Sequence, residues 1–232
     1  MPFLTDLYGI SNLDTCGAYL LKKGVNVEDP DIIKIGDDSG YSEISKSDGT
    51  FRLRGEATVW KDMIANLFGA KLYSTAGKVD YNYDEHALSF DSGGVITNSA
   101  DRVVGNLEIN HEFQVGNGII FRPHFHWFQS SNTQVEMSLR YRLQRNGQPK
   151  TEAWTTITTT VNSTNNVWEY SLGTLNQITR FPNITVNCEV SDTFQFQLAR
   201  TDSLGGTVLI YFFDLHGEID SIGSNEVIYK EV

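Results

Sequence analysis

The chain lacks most of the features that announce a function. Its 232 residues hold two cysteines, Cys16 and Cys188. They form neither a CxxC pair nor a disulfide framework, so synthesis in a reducing compartment is expected. Basic residues are scarce. Lys and Arg number 18 against 29 Asp and Glu, a formal charge of −11. A general nucleic-acid binder carries a basic face that neutralises phosphates, and no Lys/Arg-rich run supplies one. No stretch approaches the roughly 20 apolar residues of a membrane-spanning helix. Met1-Pro2-Phe3-Leu4 has neither the basic start nor the apolar run of a signal peptide. A soluble protein made in the cytoplasm, with no membrane or nucleic-acid partner, is expected. Also missing are a GxSxG elbow, a P-loop and a GxGxxG opening a helix. No fixed-period repeat is present.

What is there reads as β structure. Hydrophobic residues make up 40% and charged residues 20%. That balance can fill a sizeable core and suits an all-β protein with polar outer faces. Residues 1 to about 55 are dotted with turn formers, among them Gly9, Gly24, Pro30, Gly40 and Gly49. Asp37-Asp38-Ser39-Gly40 and Ser47-Asp48-Gly49 read as turns. The apolar pieces between them, such as Ile32 to Ile35, are too short for a core of their own. Two readings stand. Residues 1–56 are an N-terminal arm or small β appendage that docks on a neighbour, with a main domain over 57–232. Alternatively, they are the first strands of one continuous domain.

Ala57 to Ala65 is the best helical candidate, from apolar Val59, Met63, Ile64 and Leu67, although a strand entering a turn also fits. Beyond it, strand signals recur at regular intervals. They fall at 78–83, 87–90, 103–113, 119–129, 134–144, 152–161, 167–172, 184–190, 193–200 and 208–219. In 134–144, Val135, Met137, Leu139, Tyr141 and Leu143 share one face. Asn146-Gly147 is a strong hairpin turn. Many strands without intervening helices argue against βαβ topology. The expected fold is an all-β, antiparallel, jelly-roll-like β-sandwich.

The segment Gly118-Ile-Ile-Phe-Arg-Pro-His-Phe-His-Trp127 carries the most chemistry. His124 and His126 stand two apart in a strand, so both imidazoles project from one face. Such a pair can ligate a metal or can be a buried structural pair. Pro123 belongs at a strand edge, bulge or strand end. Gly118-x5-His124-x-His126 resembles the opening of the first cupin motif, which binds metal. The Glu expected about four residues later is absent, and no second cupin motif follows. On that alternative the ligands are His124, His126, His216 and Glu218, in a cupin-like metal-dependent enzyme. For a structural pair, Glu112, Asp214, Glu218 and Asp220 are the available carboxylate partners.

Other candidates are weaker. Arg140, Arg142 and Arg145 recur at roughly strand period and form a solvated face or a contact for an acidic partner. Trp127 and Phe128 offer bulk for an oligomer interface. Trp154, Trp168 and Tyr170, if exposed, would line a carbohydrate or receptor groove. Asp80, Asp84, Glu85 and Asp91 lack EF-hand spacing for calcium.

Arg122-Pro-His-Phe-His-Trp127, with Phe213-Asp-Leu-His-Gly-Glu-Ile-Asp-Ser-Ile-Gly223 near the C-terminus, resembles a group of tailed-bacteriophage virion proteins. These carry a Pro-His-x-His-Trp strand and a later Asp-x-His strand ending in Ser-x-Gly. The resemblance spans approximately residues 57 to 225. It implies a non-enzymatic structural protein of the particle (head decoration, neck, collar or tail) with a jelly-roll-like domain. It implies no cofactor, a symmetric homo-oligomer such as a trimer, and other virion proteins as partners. His124, His126, His216 and Asp220 would be a fold-defining polar cluster shared between neighbouring strands.

Overall fold

The computed structural model describes residues 25–26, 32–45, 50–73, 79–91, 101–130, 134–150, 153–161, 181–204 and 206–222. Their regular structure is almost all antiparallel strand, with one 3-10 turn at Leu67–Gly69. The Asn66 side chain caps that turn by accepting from the Phe68 and Gly69 amides.

Two compact units are present. The first takes its described residues from Met1–Trp60, His111–Gln114 and Glu218–Glu231. Its sheet runs β1 (Val25–Asn26), β2 (Ile32–Gly36), β3 (Gly40–Ser45), β4 (Phe51–Gly55) and, last, β16 (Ser221–Ile222). The expected Asp37–Gly40 turn joins β2 to β3. One oxygen of Asp37 accepts from the Ser39 amide, the Ser39 hydroxyl and the Gly40 amide. The other expected turn, Ser47–Gly49, lies outside the described residues. The sheet is not confined to the N-terminal segment. Ser221 and Ile222 pair with Arg52 and Phe51 at its edge.

The second unit comprises Lys61–Asn110 and Val115–Gly217. Its strands are β5 (Val59–Ala65, from Lys61 onward), β6 (Lys71–Tyr73), β7 (Val79–Asn82), β8 (Ala87–Asp91), β9 (Arg102–Glu108), β10 (Gly116–Gln129), β11 (Val135–Gln144), β12 (Thr155–Val161), β13 (Ile184–Cys188), β14 (Thr193–Arg200) and β15 (Thr207–Ile219). They form two sheets. One is ordered β13-β10-β15-β8-β7, with β5 also on β15, and the other β12-β11-β14-β9-β6. Counted from β8 to β15, the first sheet holds strands one, eight, three and six. The second holds two, seven, four and five. That is the jelly-roll order, and the expected antiparallel sandwich is the fold.

The core lies between these sheets. Phe196 of β14 and Phe213 of β15 meet across it with ring centroids 4.6 Å apart. Phe90, Phe121, Phe125, Trp127, Leu139 and Leu198 are fully buried. Gly105 of β9 lies opposite Phe196, and a Cβ there would come within 2.5 Å of the Phe196 ring. The predicted inward face of β11 holds, with Val135, Met137, Leu139 and Leu143 buried. Its predicted hairpin partner is β12, reached through Gly147 at φ +68°.

Two expectations are corrected. Ala57–Ala65 is not helical, because Val59–Ala65 forms a strand that pairs with β15. Met63 and Ala65 are buried while Ile64 is 59% exposed, which is strand alternation. The strand anticipated over 103–113 ends at Glu108. The strand anticipated over 167–172 lies outside the described residues.

Candidate functional site

β10 positions the histidines. Its residues alternate without interruption from Ile119 to Gln129. Ile119, Phe121, Pro123, Phe125, Trp127 and Gln129 face inward and are buried. Arg122, His124, His126 and Phe128 therefore share the outer face. β15 pairs with this half of β10 in a register that sets Arg122 opposite His216, His124 opposite Asp214 and His126 opposite Phe212. The register shifts by one residue between His126 and Trp127, where Tyr211 is the extra residue of β15. The bulge keeps hydrophobic residues inward on both sides of it.

The result is a convergence of polar atoms on one sheet face. His124 Nε2 lies 3.0 Å from His126 Nε2 and 3.3 Å from His216 Nε2. Asp214 sits beneath them, with Oδ1 2.9 Å from His124 Nε2 and Oδ2 3.2 Å from His126 Nε2. On the far side, Asp62 of β5 places Oδ1 2.8 Å from His216 Nε2. The Asp214 side chain is 2% exposed, and its Oδ1 has no aligned hydrogen-bond partner among the described residues. The His124 and His216 rings meet edge to face at 4.1 Å. Phe212 stands edge-on to His126 and shields it from one side.

The electrostatics follow from this packing. Burial pushes the Asp214 carboxyl upward, but its contacts with His124 and His126 outweigh burial and hold it below the usual range. His216 is pulled the other way. Burial lowers its affinity for a proton, the neighbouring His124 lowers it further, and Asp62 and Asp214 only partly oppose them. The face thus favours an ionised Asp214 carboxylate beside a neutral His216 imidazole. Neutral imidazole and carboxylate are the donor forms that bind metal ions.

The structure brings together three of the anticipated residues, His124, His126 and His216. Of the carboxylates offered as partners, Asp214 joins them. Glu218 and Asp220 belong to the first unit. There Glu218 accepts from the Thr58 hydroxyl, and the Asp220 amide bonds the Glu112 carbonyl. Asp214 takes the place foreseen for Asp220 in the cluster. Glu218 stands two residues beyond His216, where β15 has passed into the other unit. Asp62 was missed because its segment read as helix.

Trp127, expected at an interface, is fully buried because strand alternation turns it away from the histidines and into the core. Phe128 is on the outer face and meets Tyr211 edge to face at 5.3 Å. Arg140 and Arg142 both lie over Trp154, at 5.1 and 4.6 Å from ring to guanidinium. Arg142 donates to Gln195, and Arg145 donates to the Asn187 carbonyl and pairs with Glu189. Arg142 and Arg145 line a shallow cleft of about 280 Å³ with Tyr141 and Thr155. Trp168 and Tyr170 lie outside the described residues. Asp80, Asp84, Glu85 and Asp91 form no ligand group among the described residues.

No family model matches the chain, and no curated protein matches it. Similar solved structures include the carbohydrate-binding module TmCBM61 in complex with β-1,4-galactotriose. It shows 15% identity and a TM-score of 0.25, covering 67% of this chain and 86% of that one. The module TmCBM27, described for mannan recognition, shows 15% identity and a TM-score of 0.30, covering 68% and 88%. Eiger TNF from S. frugiperda shows 12% identity and a TM-score of 0.25, covering 60% and 74%. Similarity at this level carries no information on ligand or function.

Proposed function

We propose that this chain is a non-enzymatic structural protein of a tailed-bacteriophage particle. It is a head-decoration, neck, collar or tail component that forms a symmetric oligomer and docks onto other virion proteins. The observation that supports this is the pairing of its two motif strands. Pro-His-x-His-Trp in β10 and Asp-x-His in β15 are about 90 residues apart, yet His124 lies directly opposite Asp214. The motif is therefore one spatial unit, as a family-defining cluster requires. Behind the histidines, Phe125, Trp127 and Phe213 are fully buried. Ile120 and Phe212 are each 44% exposed on β10 and β15 and offer apolar surface to a neighbouring subunit. Each sheet of the second unit also ends in edge strands that an oligomer can cover.

The test is made on particles and on the free chain. The chain is expected as a stoichiometric band in purified virions by mass spectrometry. The recombinant protein is expected to elute as a discrete oligomer by light scattering. A strictly monomeric chain that is absent from purified particles removes the proposal.

A further inference from the structure

We propose that His124, His216 and Asp214 form a binding site for one divalent transition-metal ion, zinc or a first-row neighbour, with His126 and Asp62 flanking it. Geometry carries this. An ion about 2.1 Å from two ligand atoms sets them roughly 3.0 Å apart at an octahedral angle and about 3.4 Å apart at a tetrahedral one. The five contacts of the cluster measure 3.0, 3.3, 2.9, 3.2 and 2.8 Å. The ligand atoms of His124, Asp214 and His216 all lie within 4.8 Å of one another, and their contacts of 3.3 and 2.9 Å match edges of a coordination shell.

Protons alone do not satisfy this arrangement. A neutral imidazole carries at most one proton on Nε2. His124 Nε2 takes part in three of the five contacts, to His126, His216 and Asp214. It can donate to one neighbour or accept from one. His126 and His216 supply one proton each, so at most three of the five contacts are hydrogen bonds. If all three nitrogens donate to carboxylates, N–H groups are left crowded side by side, with Nε2 atoms 3.0 and 3.3 Å apart. A cation at the centre removes the conflict. Asp214 gives a second, independent sign. It is a buried carboxylate whose Oδ1 faces the cluster without an aligned donor. A buried carboxylate oxygen left so is costly unless a cation meets it.

The donor set selects the ion class. Two imidazole nitrogens with a carboxylate suit zinc, nickel, cobalt, iron(II) or manganese rather than calcium, which takes oxygen ligands. His124, His216 and Asp214 supply three ligands, and His126 and Asp62 stand beside them. The ion would tie β10 to β15. Metal binding here does not depend on where the chain acts.

The experiment uses the untagged full chain, stripped with EDTA and titrated with zinc chloride or cobalt chloride. Expected is about one ion per chain, a rise in melting temperature, and a visible cobalt spectrum of nitrogen-oxygen ligation. The half-exposed His216 and Asp62 can be replaced, as His216→Gln and Asp62→Asn, without opening the core. His216→Gln is expected to weaken zinc binding about 100-fold and Asp62→Asn about 10-fold. Folding of both is checked by circular dichroism. His86→Asn, at a distant exposed histidine, is expected to bind as the unaltered chain does. Two results overturn the site. One is no binding of zinc, cobalt, nickel, manganese or iron(II) by the folded chain. The other is binding that survives His216→Gln unchanged in the folded variant.

Discussion

Trp127 fills the centre of the sandwich directly behind the histidine face. Its ring is fully buried and meets Phe125 at 6.0 Å, edge to face. Its Nε1 donates to nothing among the described residues, so the indole contributes through volume. Trp127→Ala is expected to cost about 3–5 kcal/mol, and Trp127→Phe much less, by urea denaturation. A large cost for both would mean that the indole N–H has a partner. Cys188 is a second residue-scale case. Burial, and then the charge of Asp192, push its thiol up to about 11. At ordinary pH it is protonated and shielded. Iodoacetamide at about pH 8 is expected to leave Cys188 unmodified in the folded chain and to label it in urea. Labelling in the native state, read by peptide mapping, would show that this strand opens.

Between strands, a loop is clasped by one buried arginine. Arg200 ends β14 at 1% side-chain exposure. It donates to both oxygens of Asp202 and to the carbonyls of Leu204 and Gly206. Burial raises the Asp202 carboxyl. Hydrogen bonds from Arg200 and from the Glu136 and Leu204 amides, with the guanidinium charge, lower it more, so it rests below its ordinary 3.8. A depressed carboxylate stabilises the fold fully above its unfolded value and loses that contribution as pH falls through the folded one. The melting-temperature gap between the parent chain and Asp202→Asn is therefore expected to be constant near neutrality. It should shrink below about pH 4. A gap that instead widens in acid sinks this account.

The strands themselves differ in how far the sequence exposes them. β11 and β14 were legible because each alternates cleanly and is bounded by turn residues. The same alternation that puts His124 and His126 on one face puts Trp127 on the other, so its burial was readable from spacing alone. β5 was not readable, because Val59, Met63, Ile64 and Leu67 fit both periods and only pairing with β15 decides. Asp214 was legible only as one of four candidate carboxylate partners. Nothing in the sequence sets its register against His124, and the extra residue at Tyr211 shifts that register further. Gly105 shows tight packing that no local pattern announces. Gly105→Ala would press a methyl onto Phe196 and is expected to destabilise by about 1–3 kcal/mol, measured by thermal unfolding. A neutral effect would mean that the Phe196 ring has space to withdraw.

At the scale of the whole chain, the first unit depends on residues from opposite ends of the sequence. β4 would be an edge strand but for β16, whose Ser221 and Ile222 pair with Arg52 and Phe51. The Ser221 hydroxyl also donates to the His111 carbonyl, and Ile219 bridges to Phe113. Short strands with little core of their own hold together through such pairings, and an unpaired edge exposes backbone donors and acceptors. A chain ending at Asp220 loses β16 and frees the β4 edge. The expected result is faster hydrogen exchange in Phe51–Gly55, with protection in β11 and β14 unchanged, because the second unit keeps its strands and its aromatic core. Equal loss of protection in both units would mean that they unfold as one cooperative body. Unchanged protection of β4 would mean that β16 contributes nothing to the sheet it completes.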